Sequence, residues 1–384
     1  MAALAAIAMG LAAIAVLQCV AGWLAVARFA ARPRKRARLR PPITVLTPLH
    51  GDEPLLEQAL ESHCRQHYPA YQVVFGVQQA ADPAAGVVRR LQSRFPGHDL
   101  KLVVDPTRHG RNRKVSNLIN MFPLARHDLL VIADSDLHVA PDYLESVAAA
   151  LEQPATGLVT TLCVGLPAGS RLPALLGATQ ITHSFLPGVL LARALGRQDC
   201  LGTTMALRRD TLLRIGGLQA LVDHLADDNA LGRLVQGLGL SVGLADTVPL
   251  TTVGETNAAA LFRHELRWAR TIRALVPLPF AGSILQYPIF WSLLAALLTP
   301  VAIWGWAAVC VAWAVRAVVA RAIDRALARV VAPPTSPALW LLPLRELMSV
   351  AVMIASYGGV RVEWRGAILD AGGPVKVPAA FESD

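Results

Sequence analysis

Apolar residues form long uncharged runs near both ends of the chain. Residues 1–27 contain no charged side chain, and residues 281–315 form a second such run, which Pro300 interrupts. Because a helix rises 1.5 Å per residue, the first run is long enough to cross a bilayer core of roughly 30 Å. The second run is too long for one straight pass, so it predicts two passes, 281–299 and 301–315, broken at the proline.

Between these runs, residues 41–276 alternate short apolar stretches with amphipathic ones. Strands that are nearly continuous apolar runs and that alternate with helices predict an α/β fold, whose mostly parallel sheet is covered on both faces. In sheets of this kind, ligands bind at the carboxyl ends of the strands. The predicted strands are 43–49, 71–77, 100–105, 129–134 and 157–164, and the predicted helices are 55–67, 83–95 and 141–152.

Composition and charge place this domain at a membrane. With 54% hydrophobic and 16% charged residues, the chain is too apolar for a wholly soluble protein. The segment 28–40 includes six positive side chains between Arg32 and Arg40 but no aromatic or polar base readers, so no nucleic-acid partner is predicted. A cleaved signal peptide is the alternative for the first run. A signal peptide carries its positive charge before the apolar stretch, whereas in this chain the charged segment follows it.

The positive charges also predict an orientation. Basic segments stay on the cytoplasmic side, so we expect 28–40, the domain 41–276 and a loop at 316–337 to lie there, at the inner membrane. A fourth pass at 338–358 then leaves a tail, 359–384, on the other side. The segment 172–192 is also apolar, but a single crossing would separate the acidic residues before it from those after it. We therefore expect it to lie on, or dip into, the membrane surface.

The strongest candidate chemistry is the DSD sequence at the end of the predicted strand 129–134. Asp134 and Asp136 point to the same face, and two carboxylates so placed favour a bound Mg²⁺ or Mn²⁺ that also takes phosphate oxygens. A turn or helix-capping role is the alternative. Asp82 precedes Pro83 and is equally typical of a helix cap. Lys114, in GRNRKVSN, suits a phosphate, or belongs to a solvated basic loop.

Further along the chain, ADDNALG places Asp227 and Asp228 at the start of a predicted helix. Acidic residues there favour the helix dipole, but Asp228 is also a candidate general base. LFRHELRWARTIR, residues 261–273, repeats arginine at helical spacing and carries Trp268. It is typical either of an interfacial amphipathic helix or of a clamp in which Arg267 and Trp268 face a diphosphate leaving group.

In this order, the motifs resemble a known series. Asp82, DSD, DD and RW look like the D, D-x-D, (E/D)D, (Q/R)-x-x-R-W series of family 2-type membrane glycosyltransferases with a GT-A fold, which is Rossmann-like. PPITVLTPLHGDEP, GRNRKVSNL and HLADDNALG are similar to the ceramide glucosyltransferase branch and, within it, to bacterial hopanoid-associated glycosyltransferases. The resemblance covers roughly residues 40–275.

The resemblance implies roles for these residues. Asp82 would lie near the nucleotide, Asp134 and Asp136 would bind the metal-bound diphosphate, and Asp228 would be the catalytic base. Arg267 and Trp268 would close over donor and acceptor. The sequence departs from the series at its (Q/R) position, which is His264, with Arg263 one residue early. Which of the two fills this position stays open, and His264 is taken as the donor-binding candidate.

The resemblance thus predicts inverting, metal-dependent transfer from a UDP-sugar to a hydroxyl of a membrane lipid. It favours N-acetylglucosamine transfer to a hopanoid polyol, with glucose transfer to ceramide as the alternative. A processive polysaccharide synthase would need more spans than four. A non-catalytic transporter or scaffold would place charged residues within its spans, whereas the predicted spans are almost free of charge.

Overall fold

The structure, a computed structural model, describes residues 1–331, 338–359, 361–364 and 367–370. Two compact units are defined by the contacts within the chain. The first, here called the sheet unit, comprises Pro33–Ala168 and Gly196–Gly254, together with Val375–Asp384 outside the described residues. The second, the helical unit, comprises Met1–Arg32, Gly169–Leu195 and Glu255–Pro374.

The sheet unit alternates strands with helices, as the sequence pattern predicts. Its strands are β1 (Ile43–Pro48), β2 (Tyr71–Val77), β3 (Asp99–Val104), β4 (Leu129–Ala133), β5 (Leu137–His138), β6 (Thr156–Thr160), β7 (Val164–Pro167), β8 (Thr204–Arg208), β9 (Ser241–Leu244) and β10 (Leu250–Val253). Its helices are α2 (Leu56–Cys64), α3 (Pro83–Arg94), α4 (Arg113–Met121), α5 (Tyr143–Leu151), α8 (Arg209–Arg214) and α9 (Asp227–Gly237), where α1, α6 and α7 belong to the helical unit.

Seven strands form the central sheet in the order β3-β2-β1-β4-β8-β6-β9. All neighbours are parallel except β8, which runs antiparallel to both β4 and β6. Buried apolar side chains cover both faces: Val45, Phe75 and Val131 on one, Leu46 and Val74 on the other. This arrangement confirms the predicted α/β fold with a mostly parallel sheet.

The predicted strand 157–164 is in fact two strands in two sheets. β6 pairs with β8 and β9 in the central sheet. After three intervening residues, β7 pairs with β10 in a second sheet of order β5-β10-β7. An apolar run shows that a segment is buried but not which sheet it joins, so the pattern alone could not locate this break.

Gly76 on β2 is the point where the sheet packs most tightly against α4. A Cβ added at Gly76 would lie 2.5 Å from the Asn117 side-chain oxygen and against the Met121 sulfur. The Asn117 amide nitrogen donates to the Gly76 carbonyl at 2.7 Å, so Asn117 cannot easily move away. The absence of a side chain at Gly76 thus allows α4 to pack closely against β2.

We therefore expect Gly76→Ala to lower the free energy of unfolding by about 1–3 kcal/mol, the usual cost of overpacking a core. Gly97→Ala is the matched control, because a Cβ added at Gly97 meets no atom within 4 Å. Thermal unfolding of both variants in detergent measures the difference. Equal melting temperatures would contradict the tight packing of α4 against β2.

The basic segment 33–40 belongs to the sheet unit, where it lies along α5. Arg34 pairs with Asp142, and Arg40 Nε lies 2.8 Å from Glu145 Oε2. The backbone N–H groups of Arg38 and Leu39 donate to the Glu152 carboxylate at 2.8 and 2.7 Å. Part of the charge predicted to mark the membrane side is therefore neutralised by acids at the two ends of α5.

The helical unit consists mainly of apolar helices. In the part of the chain that the structure describes, four stretches are long and apolar enough to cross a membrane: Ala2–Ala30, Leu172–Ala194, Ile303–Leu327 and Leu339–Ser356. A further pair, Pro277–Gln286 and Pro288–Leu298, is bent by 69°. The helices are α1 (Ala2–Ala30), α6 (Leu172–Gln180), α7 (Leu186–Ala194), α10 (Ala258–Leu275), α11 (Pro277–Gly282), α12 (Pro288–Leu298), α13 (Ile303–Leu327) and α14 (Leu342–Ser356).

Two predicted segments differ in the structure. The stretch 281–299 is not one straight helix, because the chain bends before Pro288. Residues 316–327, expected within a loop, continue α13, since Arg316 is buried and its Nε lies 2.8 Å from Glu346 Oε1 on α14. A buried arginine is tolerated in a helix when a carboxylate partners it. Residues 332–337 of that loop lie outside the described residues.

The predicted tail, 359–384, is described only in part. Two short strands, β11 (Arg361–Trp364) and β12 (Ala367–Asp370), pair antiparallel. The remainder of the tail after Gly359 lies outside the described residues, so its expected position on the far side of the membrane stays a prediction.

Candidate active site

The DSD sequence lies at the carboxyl end of β4, as the strand pattern predicts. The Asp134 backbone N–H donates to the Thr203 carbonyl at 3.2 Å, which ties the loop to the start of β8. The Asp136 carboxylate accepts a 2.7 Å hydrogen bond from the Thr251 hydroxyl on β10. Burial, together with the neighbouring Asp134, raises the pKa of Asp136 to about 7. The ionised form of Asp136 is therefore disfavoured at this position, and a neighbouring positive charge would stabilise it.

Lys114, in the first turn of α4, joins the two acidic motifs. Its Nζ lies 2.8 Å from Asp134 Oδ1 and 3.6 Å from Asp227 Oδ2. The lysine side chain is only 12% exposed. Burial lowers the pKa of Lys114, but Asp134 and Asp227 outweigh it and raise the pKa well above the ordinary lysine value. Residues 114, 134 and 227, distant in sequence, thus form one charged cluster.

Asp227 and Asp228 open α9, as the sequence predicts. The Asp228 Oδ1 accepts the backbone N–H of Asn229 at 2.7 Å. Burial, and then the adjacent Asp227, raises the pKa of Asp228 to about 6. The pKa of Asp227 is raised as well, mainly by burial and against the opposing effect of Lys114. A carboxyl group with a pKa near 6 is suited to accepting a proton close to neutral pH.

Asp82 is a helix cap in this structure. Its Oδ1 accepts the Ala84 backbone N–H at 3.0 Å at the start of α3. The same carboxylate accepts the backbone N–H of Gly51, which has a φ of +78° in the loop after β1. The Asp82 side chain is 7% exposed, and His50 Nδ1 lies 3.6 Å from its Oδ2. It therefore shapes the loop between β1 and α2, and its predicted role near the nucleotide stays a prediction.

Three residues of this region were not singled out from the sequence. Glu53 accepts a hydrogen bond from the Ser135 hydroxyl. Gly202 faces Asp228: a Cβ at this glycine would lie 3.1 Å from Asp228 Oδ2. Thr251 holds Asp136 from a strand 115 residues away. Only Glu53 carried a usable signal, since it follows the carboxyl end of β1.

The RW pair lies on α10 in the helical unit. His264 hydrogen-bonds Glu255, and its ring meets the Trp268 ring edge-on with centroids 4.6 Å apart. Burial raises the pKa of Glu255, but His264 outweighs it, so that the net pKa is lowered. Arg263 is exposed. His264 thus contacts the tryptophan, and which of His264 and Arg263 fills the (Q/R) position stays a prediction.

The acidic residues of this site could bind a metal ion only together with other ligands. Among the described residues, no three His, Cys, Asp or Glu side chains are grouped so that they could hold a metal ion alone. Mg²⁺ characteristically binds through one or two carboxylates, with waters and substrate phosphates completing its coordination. Asp134 and Asp136 fit that requirement, because they supply two carboxylates at the end of one strand, and Lys114 contacts only the first of them.

The fold and this arrangement of acids define a class of protein. The structure is similar to the mannosyltransferase PcManGT from Pyrobaculum calidifontis in complex with GDP-Man and Mn²⁺, with a TM-score of 0.52 and 21% identity, over 92% of this chain and 99% of that one. At this identity the similarity shows the fold, which is that of the GT-A glycosyltransferases. The sequence model of glycosyl transferase family 21 matches residues 2–373, so the chain belongs to that family.

Curated relatives carry more specific names. Ceramide glucosyltransferase 1 of Caenorhabditis elegans is 23% identical over 241 residues, which are 62% of this chain and 51% of that protein. A ceramide glucosyltransferase of Komagataella phaffii is 30% identical over 115 residues, 29% of this chain and 23% of the relative. The chain thus spans about half the length or less of these relatives.

Proposed function

We propose that the protein transfers a sugar from a UDP-sugar to a hydroxyl group of a membrane lipid, with inversion at the sugar C1. The observation that carries the proposal is the convergence at Lys114, whose ammonium contacts both Asp134 and Asp227. An acid pair suited to a metal-bound diphosphate and an acid pair suited to base catalysis thereby share one site. Family membership supports the same reaction class.

In this proposal, Asp134 and Asp136 hold a divalent cation, Mg²⁺ or Mn²⁺. When bound, such an ion neutralises charge on the diphosphate and so makes UDP a better leaving group. Lys114 lies beside the same carboxylates and can bind a phosphate oxygen, for which an ammonium is well suited. Asp82 stabilises the loop at Gly51 that would border the nucleotide. Support for a metal also comes from the Mn²⁺ in the PcManGT complex.

Asp228 is the general base of the proposed reaction. Its carboxylate takes the proton from the acceptor hydroxyl, whose oxygen attacks the sugar C1 from the face opposite the diphosphate. The bond between C1 and the phosphate oxygen breaks as the new glycosidic bond forms, and UDP departs with the electron pair. A single displacement of this kind inverts the anomeric centre, as in the inverting glycosidases. Gly202 leaves the space beside Asp228 open.

Arg267 and Trp268 are proposed to close over donor and acceptor. Glu255 hydrogen-bonds His264, and the His264 ring packs edge-on against the Trp268 ring. These two contacts give the tryptophan a defined orientation on α10. The Trp268 side chain is also 40% exposed, which suits a group that contacts a substrate. In this proposal His264 acts through the tryptophan and not through the diphosphate.

A lipid acceptor fits the apolar helices. Asp134 and Asp227 contact one lysine, so the chain segments before and after Leu172–Ala194 must be on the same side of a membrane. A helix that crossed once would separate them, which supports the prediction that this segment dips into the surface and returns. We propose a multi-pass protein of the inner membrane, with its sheet unit on the cytoplasmic side.

Ceramide and glucose are the leading acceptor and donor sugar, because the curated relatives are named ceramide glucosyltransferases. A hopanoid polyol with N-acetylglucosamine is the second pair. The test is UDP release by the purified full chain in detergent, with each donor offered against each acceptor. Release with ceramide and UDP-glucose alone would support the proposal. Release with the hopanoid pair alone would replace the acceptor, and a protein that binds no UDP would exclude the transferase.

The pH dependence of turnover tests the base. Asp228 must be ionised to accept a proton, and its pKa is raised to about 6. At saturating donor and divalent cation, kcat should be level above pH 7 and should fall about tenfold per pH unit well below pH 6. Initial rates in a constant-ionic-strength buffer series give this profile. A kcat that stays level to pH 4.5 would show that another group removes the proton.

A further inference from the structure

We propose that Lys114 is the resident counter-ion of Asp134 and makes the binding of a divalent cation conditional on a nucleoside diphosphate. This inference rests on the proposed function, because it takes Asp134 and Asp136 as the cation ligands. It assigns to Lys114 a second role besides contact with the donor. The Lys114 ammonium neutralises the same Asp134 carboxylate that the cation would bind.

The first step of the argument is the contact with Asp134. At 2.8 Å from Asp134 Oδ1, the Lys114 ammonium already supplies a full positive charge to one of the two carboxylates. The lysine side chain is 12% exposed and that of Asp134 32%, so water screens this pair only in part. A divalent cation that approaches Asp134 must therefore repel or displace the ammonium.

The second step is that the ammonium has another partner within reach. Asp227 Oδ2 lies 3.6 Å from Lys114 Nζ, and this oxygen is buried without a hydrogen-bond partner among the described residues. A diphosphate would offer the ammonium further oxygen atoms. Once the Lys114 ammonium leaves Asp134, Asp227 and a phosphate can hold it together. Without a phosphate, Asp227 alone holds it less well.

The consequence is a positive coupling between the two ligands. Without a diphosphate, the lysine competes with the cation for Asp134; with a diphosphate, it becomes a ligand of the phosphate. Coupling of this kind is reciprocal, so the cation must also tighten nucleotide binding by the same factor. The device would keep free metal from occupying the acids when no donor is present.

The test measures Mn²⁺ affinity of the full chain in detergent at pH 8, by the electron paramagnetic resonance signal of free Mn²⁺, with and without UDP. In the wild type we expect UDP to tighten Mn²⁺ binding at least about tenfold. In Lys114→Met, Mn²⁺ without UDP should bind about ten- to a hundredfold more tightly than in the wild type, because a like charge is removed. The gain that UDP produces should shrink accordingly.

Two further variants control for charge and for surface effects. Lys114→Arg keeps the positive charge and should keep the UDP requirement. Lys101→Met removes an exposed lysine, which lies 3.6 Å from Asp99, and should behave as the wild type does. If Lys114→Met does not fold, Lys114→Gln removes the same charge and retains a polar end.

The outcomes separate this inference from the proposed function. A folded Lys114→Met that binds Mn²⁺ without UDP no more tightly than the wild type would overturn the counter-ion role and leave the transferase proposal intact. A wild type that binds UDP but takes up no Mn²⁺ with it would overturn both the metal site and the inference. Mn²⁺ alone should also raise the melting temperature of Lys114→Met more than that of the wild type.

Discussion

Asp228→Asn should be nearly inactive in sugar transfer and should still bind UDP. The substitution keeps the side-chain shape and the Oδ1 acceptor for the Asn229 N–H, but it removes the group that takes the proton. Loss of a positioned general base costs about 10²–10⁴ in rate. The donor site itself is unchanged, since Asp134, Asp136 and Lys114 are all retained. kcat from UDP release and Kd from titration calorimetry measure the two effects separately.

The matched control for this experiment is Asp128→Asn. The Asp128 side chain is 93% exposed and lies before β4, where it faces solvent beside Arg209. It should retain wild-type turnover. Turnover of Asp228→Asn at a tenth of the wild-type rate would exclude the base role, because so small a loss is below what a general base contributes. A loss of UDP binding in this variant would instead indicate that Asp228 helps to hold the donor.

The sequence predicted the central part of the sheet well because its strands are buried on both faces. β1, β2 and β4 are nearly continuous apolar runs, and each differs from its predicted range by two residues or fewer. β8 was missed, although it lies between β4 and β6 and is buried for most of its length. Its direction is antiparallel, and no local pattern specifies the partner or direction of a short strand. Long-range pairing decides both.

The site was predictable to the extent that its residues follow strands or open helices. Asp134 and Asp136 follow β4, and Asp228 opens α9, so position in the fold singled them out. The link between the two acidic motifs was not predictable, because Lys114 approaches from α4 and contacts Asp134 and Asp227 only in three dimensions. Thr251 is a further case: it binds Asp136 across 115 residues of sequence, with no motif around it.

Asp136→Asn should lose transfer and gain stability, and this combination distinguishes a metal ligand from a structural acid. The pKa of Asp136 is raised from an unfolded value of 3.8 to about 7, mainly by burial. A raised pKa means that the folded state favours the protonated form. The stability linked to that proton is present below pH 3.8 and is lost as pH rises to about 7. At pH 8 in EDTA, the ionised carboxylate therefore destabilises the wild type, and the neutral amide should not.

The expected result in EDTA at pH 8 is a melting temperature higher than that of the wild type, with the Thr251 hydroxyl still able to donate to the amide oxygen. With Mn²⁺ and UDP the order should reverse, because ligand binding stabilises only a protein that retains its affinity. Transfer should fall at least about a hundredfold, as for loss of a main electrostatic contact. A variant less stable than the wild type in EDTA would mark Asp136 as a structural acid. Such a trade of stability for function is what an acid pair kept ready for a cation should show.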